Sequence, residues 1–117
     1  MQEIPIKTSK KEEFIDITKE IQNLIPKDFN GIAVIQNMHT TAGLTINENA
    51  DPDVRKDILK ALSIFNREDY SHSEGNSSSH VKSSLMGSSL KVIVSSGKLQ
   101  LGAWQSVFFV EFDLLCQ

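Results

Sequence analysis

Trp104-Gln105-Ser106-Val107-Phe108-Phe109-Val110-Glu111-Phe112 is a long aromatic and β-branched run, and it reads as a strand. Successive strand residues point to opposite sides, so Val107 to Val110 present apolar side chains on both faces. One face can be covered by a two-layer domain. The other needs a helix, a second sheet or another subunit.

Outward from this stretch, Leu90 to Val94 alternates, Ser95-Ser96-Gly97 can turn, and Lys98 to Leu101 alternates again, which is a hairpin pattern. Gly31-Ile32-Ala33-Val34-Ile35-Gln36 is short, apolar and β-branched and predicts a further strand. Ala42 to Asn47 alternates and predicts another. Residues 2–8 alternate weakly around Ile4 and Ile6, and Pro5 makes an edge strand the expectation. Ser9-Lys10-Lys11-Glu12 has capping-box form. Phe14, Ile17, Ile21, Leu24 and Ile25 follow at helical spacing, so a helix is expected over about 10–25, stopped by Pro26. Asp51-Pro52-Asp53 starts a second helix, about 52–65, with Val54, Ile58, Leu62 and Phe65 as its stripe. Residues 66–80 show neither period. A structureless stretch of that length is usually functional or disordered, and Tyr70, His72 and His80 favour an ordered functional loop. Strands segregate from two helices, so the expected fold is α+β with a mostly antiparallel sheet.

The chain has 117 residues, net charge −3 and 39% hydrophobic residues, which is one ordinary globular domain over residues 1–117. No apolar run approaches the ~20 residues of a spanning helix. The first residues carry no basic-then-apolar leader, and the lone Cys116 cannot make an internal disulfide, so a reducing, cytoplasmic setting is expected. The basic residues are scattered, which argues against nucleic-acid or membrane-surface partners but leaves room for a small phosphorylated ligand.

Chemistry-bearing residues concentrate in His39-Thr40-Thr41, Asn47-Glu48-Asn49, Asp51, Asp53 and Asp57, with His72 and His80 in the long loop. Histidine plus carboxylate suits a divalent metal such as zinc, and equally suits general acid–base catalysis. The spacing matches no strong local metal or phosphate motif. Each group also has a plainer role: His39 as a satisfied strand-end histidine, Asp51 and Asp53 as helix starters, Asp57 and His72 as solvated side chains, Trp104 as core. Nothing near Cys116 would activate its thiol.

Together, His39 to Leu44, Asn47 to Val54 with Asp57, Tyr70 to Asn76, His80 to Leu85 and Gly97 to Gln105 resemble the ordered signature blocks of the YjbQ family, formerly an uncharacterised protein family. The resemblance covers about residues 5–113. It implies a small α+β sandwich assembling as a trimer, with secondary thiamine-phosphate synthase activity: a pyrimidine diphosphate is joined to a thiazole phosphate and pyrophosphate is released. The family's polar residues map onto His39, Asn47, Glu48, Asp51, Asp57, His72, His80, Lys82, Trp104 and Gln105. On this reading His39, Glu48, Asp57 and Lys82 are catalytic candidates, and Lys82 or a cation would neutralise the leaving pyrophosphate. Thr40, Asn47, Trp104 and Gln105 would bind ligand. His39, His72 and His80 would hold a divalent metal, zinc or magnesium. The implied partners are other copies of the chain, as a homotrimer, and a small phosphorylated metabolite.

The chain departs from the family in three places. Ser78 and Ser79 stand where an acid usually precedes the histidine matched to His80, and Ala103 replaces a threonine. A final Gly-Pro-Arg strand is expected to be missing after Asp113, which would leave Trp104 to Phe112 nearer an exposed edge. A non-catalytic module binding a thiamine-like metabolite, and a purely structural trimer, are the competing readings.

Overall fold

The structure, a computed structural model, describes residues 1–114. Its organising element is the aromatic run, which forms β6 (Gln105–Glu111) at the centre of a three-stranded antiparallel sheet rather than at an edge. β1 (Glu13–Asp16) flanks it on one side and β3 (Ala42–Glu48) on the other. The register sets Phe14 opposite Val110, and Leu44 opposite Phe109. A second antiparallel sheet orders β2 (Gly31–Gln36), β4 (Ser89–Ser95) and β5 (Lys98–Leu99). Three helices complete the α+β fold among the described residues: α1 (Thr18–Leu24), α2 (Pro52–Leu62), which tightens into a 3-10 turn at Ser63–Phe65, and α3 (Ser77–Met86).

Both faces of β6 are covered within one chain. Val107 and Phe109 pack with Ile17, Ile21, Leu44 and Val92, so the second sheet and α1 close that side. Phe108, Val110 and Phe112 pack on the other side with Phe14, Leu59, Leu62 and Met86, from β1, α2 and α3. Of the three covers the sequence allowed, a second sheet and helices serve, and the expectation that β6 lies nearer an edge is corrected.

The helix expected over 10–25 divides. Glu13 to Asp16 pair with β6 instead, because Phe14 and Ile15 reach the two opposite cores that β6 itself serves. The Asp16 carboxylate then accepts hydrogen bonds from the Thr18 N–H at 3.0 Å and hydroxyl at 2.7 Å, starting α1. The expected capping box does not form. Ser9 donates to Glu13 instead, at 3.0 Å from its N–H. Residues 2–8 make no strand, although Ile4 and Ile6 still pack on the core. α2 begins as read, with Asp51 Oδ1 accepting from the Asp53 N–H at 2.9 Å and Pro52 in the first turn. α3 takes residues from the stretch expected to lack structure and from those beyond it. Cys116 lies outside the described residues.

Candidate functional site

The site begins where β2 hands over to β3. The Asn37 N–H donates to Ser88 O at 2.7 Å, tying the end of β2 to the start of β4. The buried Asn37 side chain then shapes the next residues. Its Oδ1 accepts from the His39 N–H at 2.9 Å, and its Nδ2 donates to Ala42 O at 2.8 Å. This clamp turns the chain so that Met38, His39 and Thr40 stand exposed. The His39 ring rests edge-on against Phe109, with centroids 6.4 Å apart.

α3 closes the other side. The Ser83 hydroxyl is shared between Thr40 O at 2.6 Å and His80 O at 3.0 Å, and the Ser84 hydroxyl donates to His80 O at 2.8 Å. The helix ends at Gly87, whose φ of 106° favours glycine, and Gly87 O accepts from the Leu44 N–H at 3.0 Å. Between the His39 bend and α3 lies an open cleft of about 370 Å³. Its lining is His39, Thr40, Ala42, His80, Ser83, Ser84, Gly87 and Ser88. Two imidazoles and four hydroxyl residues are in that lining, and no carboxylate is among them.

His72 reaches this site from the loop over residues 66–76, packing edge-on against His80 at 5.7 Å, with Glu74 Oε2 at 3.8 Å from its Nε2. The loop is held locally. Arg67 makes a forked pair with Asp69, at 2.8 and 2.5 Å, and lies over the Tyr70 ring, whose hydroxyl donates to Phe65 O at 2.6 Å. That hydrogen-bonded pair lowers the Asp69 carboxyl below its ordinary range and raises the Arg67 guanidinium.

The other candidates lie elsewhere. β3 spans seven residues, so its cleft end at Ala42 and its far end at Glu48 are about 20 Å apart. Glu48 faces Gln105 across the ladder, and Asn47 lies beside it. Glu48 Oε2 accepts from the Asp51 N–H at 3.1 Å, and Gln105 Oε1 accepts from the Gly102 N–H at 2.9 Å. Asp57 is exposed on α2. Trp104 stands 65% exposed at this far end, where its carbonyl accepts from the Asn49 N–H at 2.8 Å. The structure thus gathers Thr40 and all three histidines at one end of the β3–β6 sheet. Asn47, Glu48, Trp104 and Gln105 are at the other.

Lys82 belongs to the cleft end, since its partner Glu12 precedes Glu13, which is in register with Glu111 and Ala42, but its side chain is not part of the cleft lining. The lysine is 2% exposed, and its Nζ lies 2.6 Å from Glu12 Oε2 and 6.0 Å over the Phe112 ring.

The histidines do not complete a metal centre within one chain. Among the described residues, no three His, Cys, Asp or Glu side chains converge to hold an ion. Zinc needs a fuller set of converging donors than His39, His72 and His80 make within one chain, and magnesium demands oxygen ligands.

Sequence reasoning missed Asn37, Ser83, Ser84 and Ser88. Asn37 carried a weak signal, as a turn-forming residue directly after a strand. The serines carried none, because serine is common on surfaces.

Comparison with known proteins places this architecture. The family model described as "UPF0047 protein YjbQ-like" matches residues 2–116. A UPF0047 protein of Methanocaldococcus jannaschii is 54% identical, covering 92% of this chain and 81% of the relative. The UPF0047 protein YugU of Bacillus subtilis is 48% identical, covering 94% and 87%. Among solved structures, an uncharacterised YjbQ/UPF0047 protein of Clostridium acetobutylicum superposes with a TM-score of 0.86 at 50% identity, covering 92% of this chain and 87% of that one. A conserved hypothetical protein of Thermus thermophilus gives 0.84 at 39% identity, covering 90% and 85%. With the family model and these relatives spanning nearly the whole described fold, the chain belongs to the YjbQ-like UPF0047 family.

Proposed function

We propose that the His39–His80 cleft binds the phosphate group of a small metabolite, within an enzyme-like homotrimer resembling a secondary thiamine-phosphate synthase. One observation carries this reading. Two imidazoles and the hydroxyl residues Thr40, Ser83, Ser84 and Ser88 line one cleft, and no carboxylate is part of that lining. Each neutral imidazole offers one N–H donor and the Thr40 and Ser88 hydroxyls can turn to donate, while those of Ser83 and Ser84 donate to backbone carbonyls.

In the proposed reaction the carbon–oxygen bond to pyrophosphate breaks as a carbon–nitrogen bond to the thiazole forms. Charge grows on the departing oxygens, and donors already aimed at them lower the barrier. His39 and His80 take that role. Lys82, already neutralised by Glu12, does not.

A second reading has support of its own. The carboxylates and amides that a transferase would use stand about 20 Å from the cleft in the same chain. A binding module that holds a phosphorylated metabolite without turning it over needs only the cleft. The trimer, with its two sheets packed as a sandwich, is supported by the exposed apolar side chains on the outer face of the β2–β4 sheet. A cytoplasmic setting fits the lone cysteine, and no helix of the described residues is long and apolar enough to cross a membrane.

Calorimetric titration with inorganic pyrophosphate tests the phosphate reading. His39→Ala and His80→Ala are each expected to weaken binding about tenfold or more, the usual worth of a hydrogen bond to a charged group. Asp57→Ala should bind as the wild type does. A wild type that shows no saturable binding removes the phosphate reading. Binding without turnover of pyrimidine diphosphate and thiazole phosphate leaves the module.

A further inference from the structure

Trp104 is the only tryptophan of the chain, and it is held out of the molecule on a closed turn. The Gln105 N–H donates to Gly102 O at 3.0 Å, and the Gly102 N–H returns to Gln105 Oε1 at 2.9 Å. Asn49 braces the turn from the neighbouring strand, its Nδ2 donating to Ser106 Oγ at 2.8 Å. These bonds fix the backbone of a turn that leaves the large Trp104 ring in water, where it forgoes hydrophobic stabilisation. A covering surface would offset that.

The cleft has the complementary lack. Between its two walls it is open to solvent, and Met38, next to His39, is 82% exposed. Beyond Gln36, the outer face of β2 carries Val34 and Ile32, with Ile93 opposite Ile32 on β4. β2 runs from the cleft toward the opposite end of the molecule. The two ends also differ in character: histidines mark the cleft, while Glu48, opposite Gln105, and Asp51, hydrogen-bonded to Glu48, lie beside the tryptophan turn. In one chain, about 20 Å separates these ends. Two copies related head to tail can bring them together, and a heterologous contact of that kind closes into a ring where the rotation between copies divides the full turn.

We propose that Trp104 of a second copy of this chain covers the His39–His80 cleft, making a composite site for a phosphorylated heteroaromatic metabolite. The phosphate sits on the imidazoles and the flat ring stacks on the indole. The stacking half rests on the phosphate reading above. The docking of Trp104 does not. The indole supplies a sequence-tolerant π-face, and stacking of a base on such a face is worth about 1–3 kcal/mol.

Because the chain has a single tryptophan, its fluorescence reports the contact directly. At micromolar protein, Trp104 emission should be blue-shifted and protected from iodide. Met38→Glu, next to His39, should shift it red and expose it. Full iodide access in a protein whose scattering mass is that of several copies would overturn the proposal. So would a single-copy mass at every concentration.

A complementation experiment tests the shared site, with uridine 5′-monophosphate as the probe. The double variant His39→Ala/His80→Ala and the variant Trp104→Ala should each bind poorly. After dissociation and random reassembly of an equal mixture, about a quarter of the junctions regain both halves, with binding to match. No recovery from variants that assemble normally overturns the composite site. Failure of wild type to bind pyrophosphate, with Trp104 still protected, strikes only the phosphate reading.

Discussion

The Lys82 ammonium lies 2.6 Å from Glu12 Oε2 beneath the Phe112 ring, and the lysine is almost wholly buried. A buried cation needs a partner, and Glu12, itself partly exposed, supplies one from the chain just before β1. The pair therefore ties α3 to the start of the β3–β6 sheet. Ser79, one turn earlier, does the same by donating to Phe112 O at 2.9 Å. Lys82→Met keeps the packing of the stem but leaves Glu12 without its cation. Glu12 can turn to water, so the loss should fall at about 1–3 kcal/mol, below the range for a fully buried pair. Urea unfolding measures it, and pyrophosphate binding should be unchanged. Wild-type stability combined with lost binding would return Lys82 to the site.

At the scale of elements, the β4–β5 hairpin shows how one glycine fixes an arrangement. Ser96 and Gly97 both have positive φ, 49° and 76°, as a two-residue type I′ turn requires. Gln22 of α1 clasps the hairpin, donating to Gly97 O at 2.7 Å and accepting from the Leu99 N–H at 3.1 Å. A Cβ on Gly97 would stand 2.0 Å from Lys27 O, which is backbone and cannot step aside. Gly97→Ala should therefore cost about 2–4 kcal/mol, combining left-handed strain with displacement of the α1–β2 connection. Thermal unfolding followed by circular dichroism would show it, and a shift of only a degree or two would contradict it. This hairpin was legible in the sequence because turn chemistry is local. So were Gly31 to Gln36 and the Asp51-Pro52 helix start. α3 was not, since it inverts the usual pattern by burying Ser79, Lys82 and Ser83 and leaving Leu85 exposed. A search for apolar periodicity passes over such a helix. β1 was misread because Phe14 and Ile17 suit a helical stripe as well as a strand. Only pairing with β6, distant in sequence, decides between them. The histidine end of the site was legible from residue type. Its distance from Glu48 was not, because that depends on how long β3 runs.

For the whole molecule, the question is which apolar surface is left over. β6 leaves none, since its two faces meet two cores inside one chain. Three exposed apolar side chains share the outer face of the β2–β4 sheet, where Ile32 is 59%, Val34 66% and Ile93 65% exposed. Single exposed apolar residues are ordinary, but three on one sheet face, with Ile32 directly across from Ile93, form a patch. β2 is also an edge strand, so the patch borders an open ladder. Burying the patch against other copies would remove both liabilities. A closed ring does so without leaving a sticky surface over, which an open chain would not. The expected state is thus a trimer at micromolar concentration. Ile93→Lys places a charge in the middle of the patch while touching no core residue, because Ile93 points outward. It should reduce the scattering mass to one copy and leave the circular dichroism spectrum and unfolding cooperativity of the monomer intact. The same variant should expose Trp104 to iodide, since loss of the ring also withdraws the neighbouring cleft. A wild type with the mass of one copy at all concentrations would end the trimer. An Ile93→Lys protein that still forms trimers would move the interface off this sheet face.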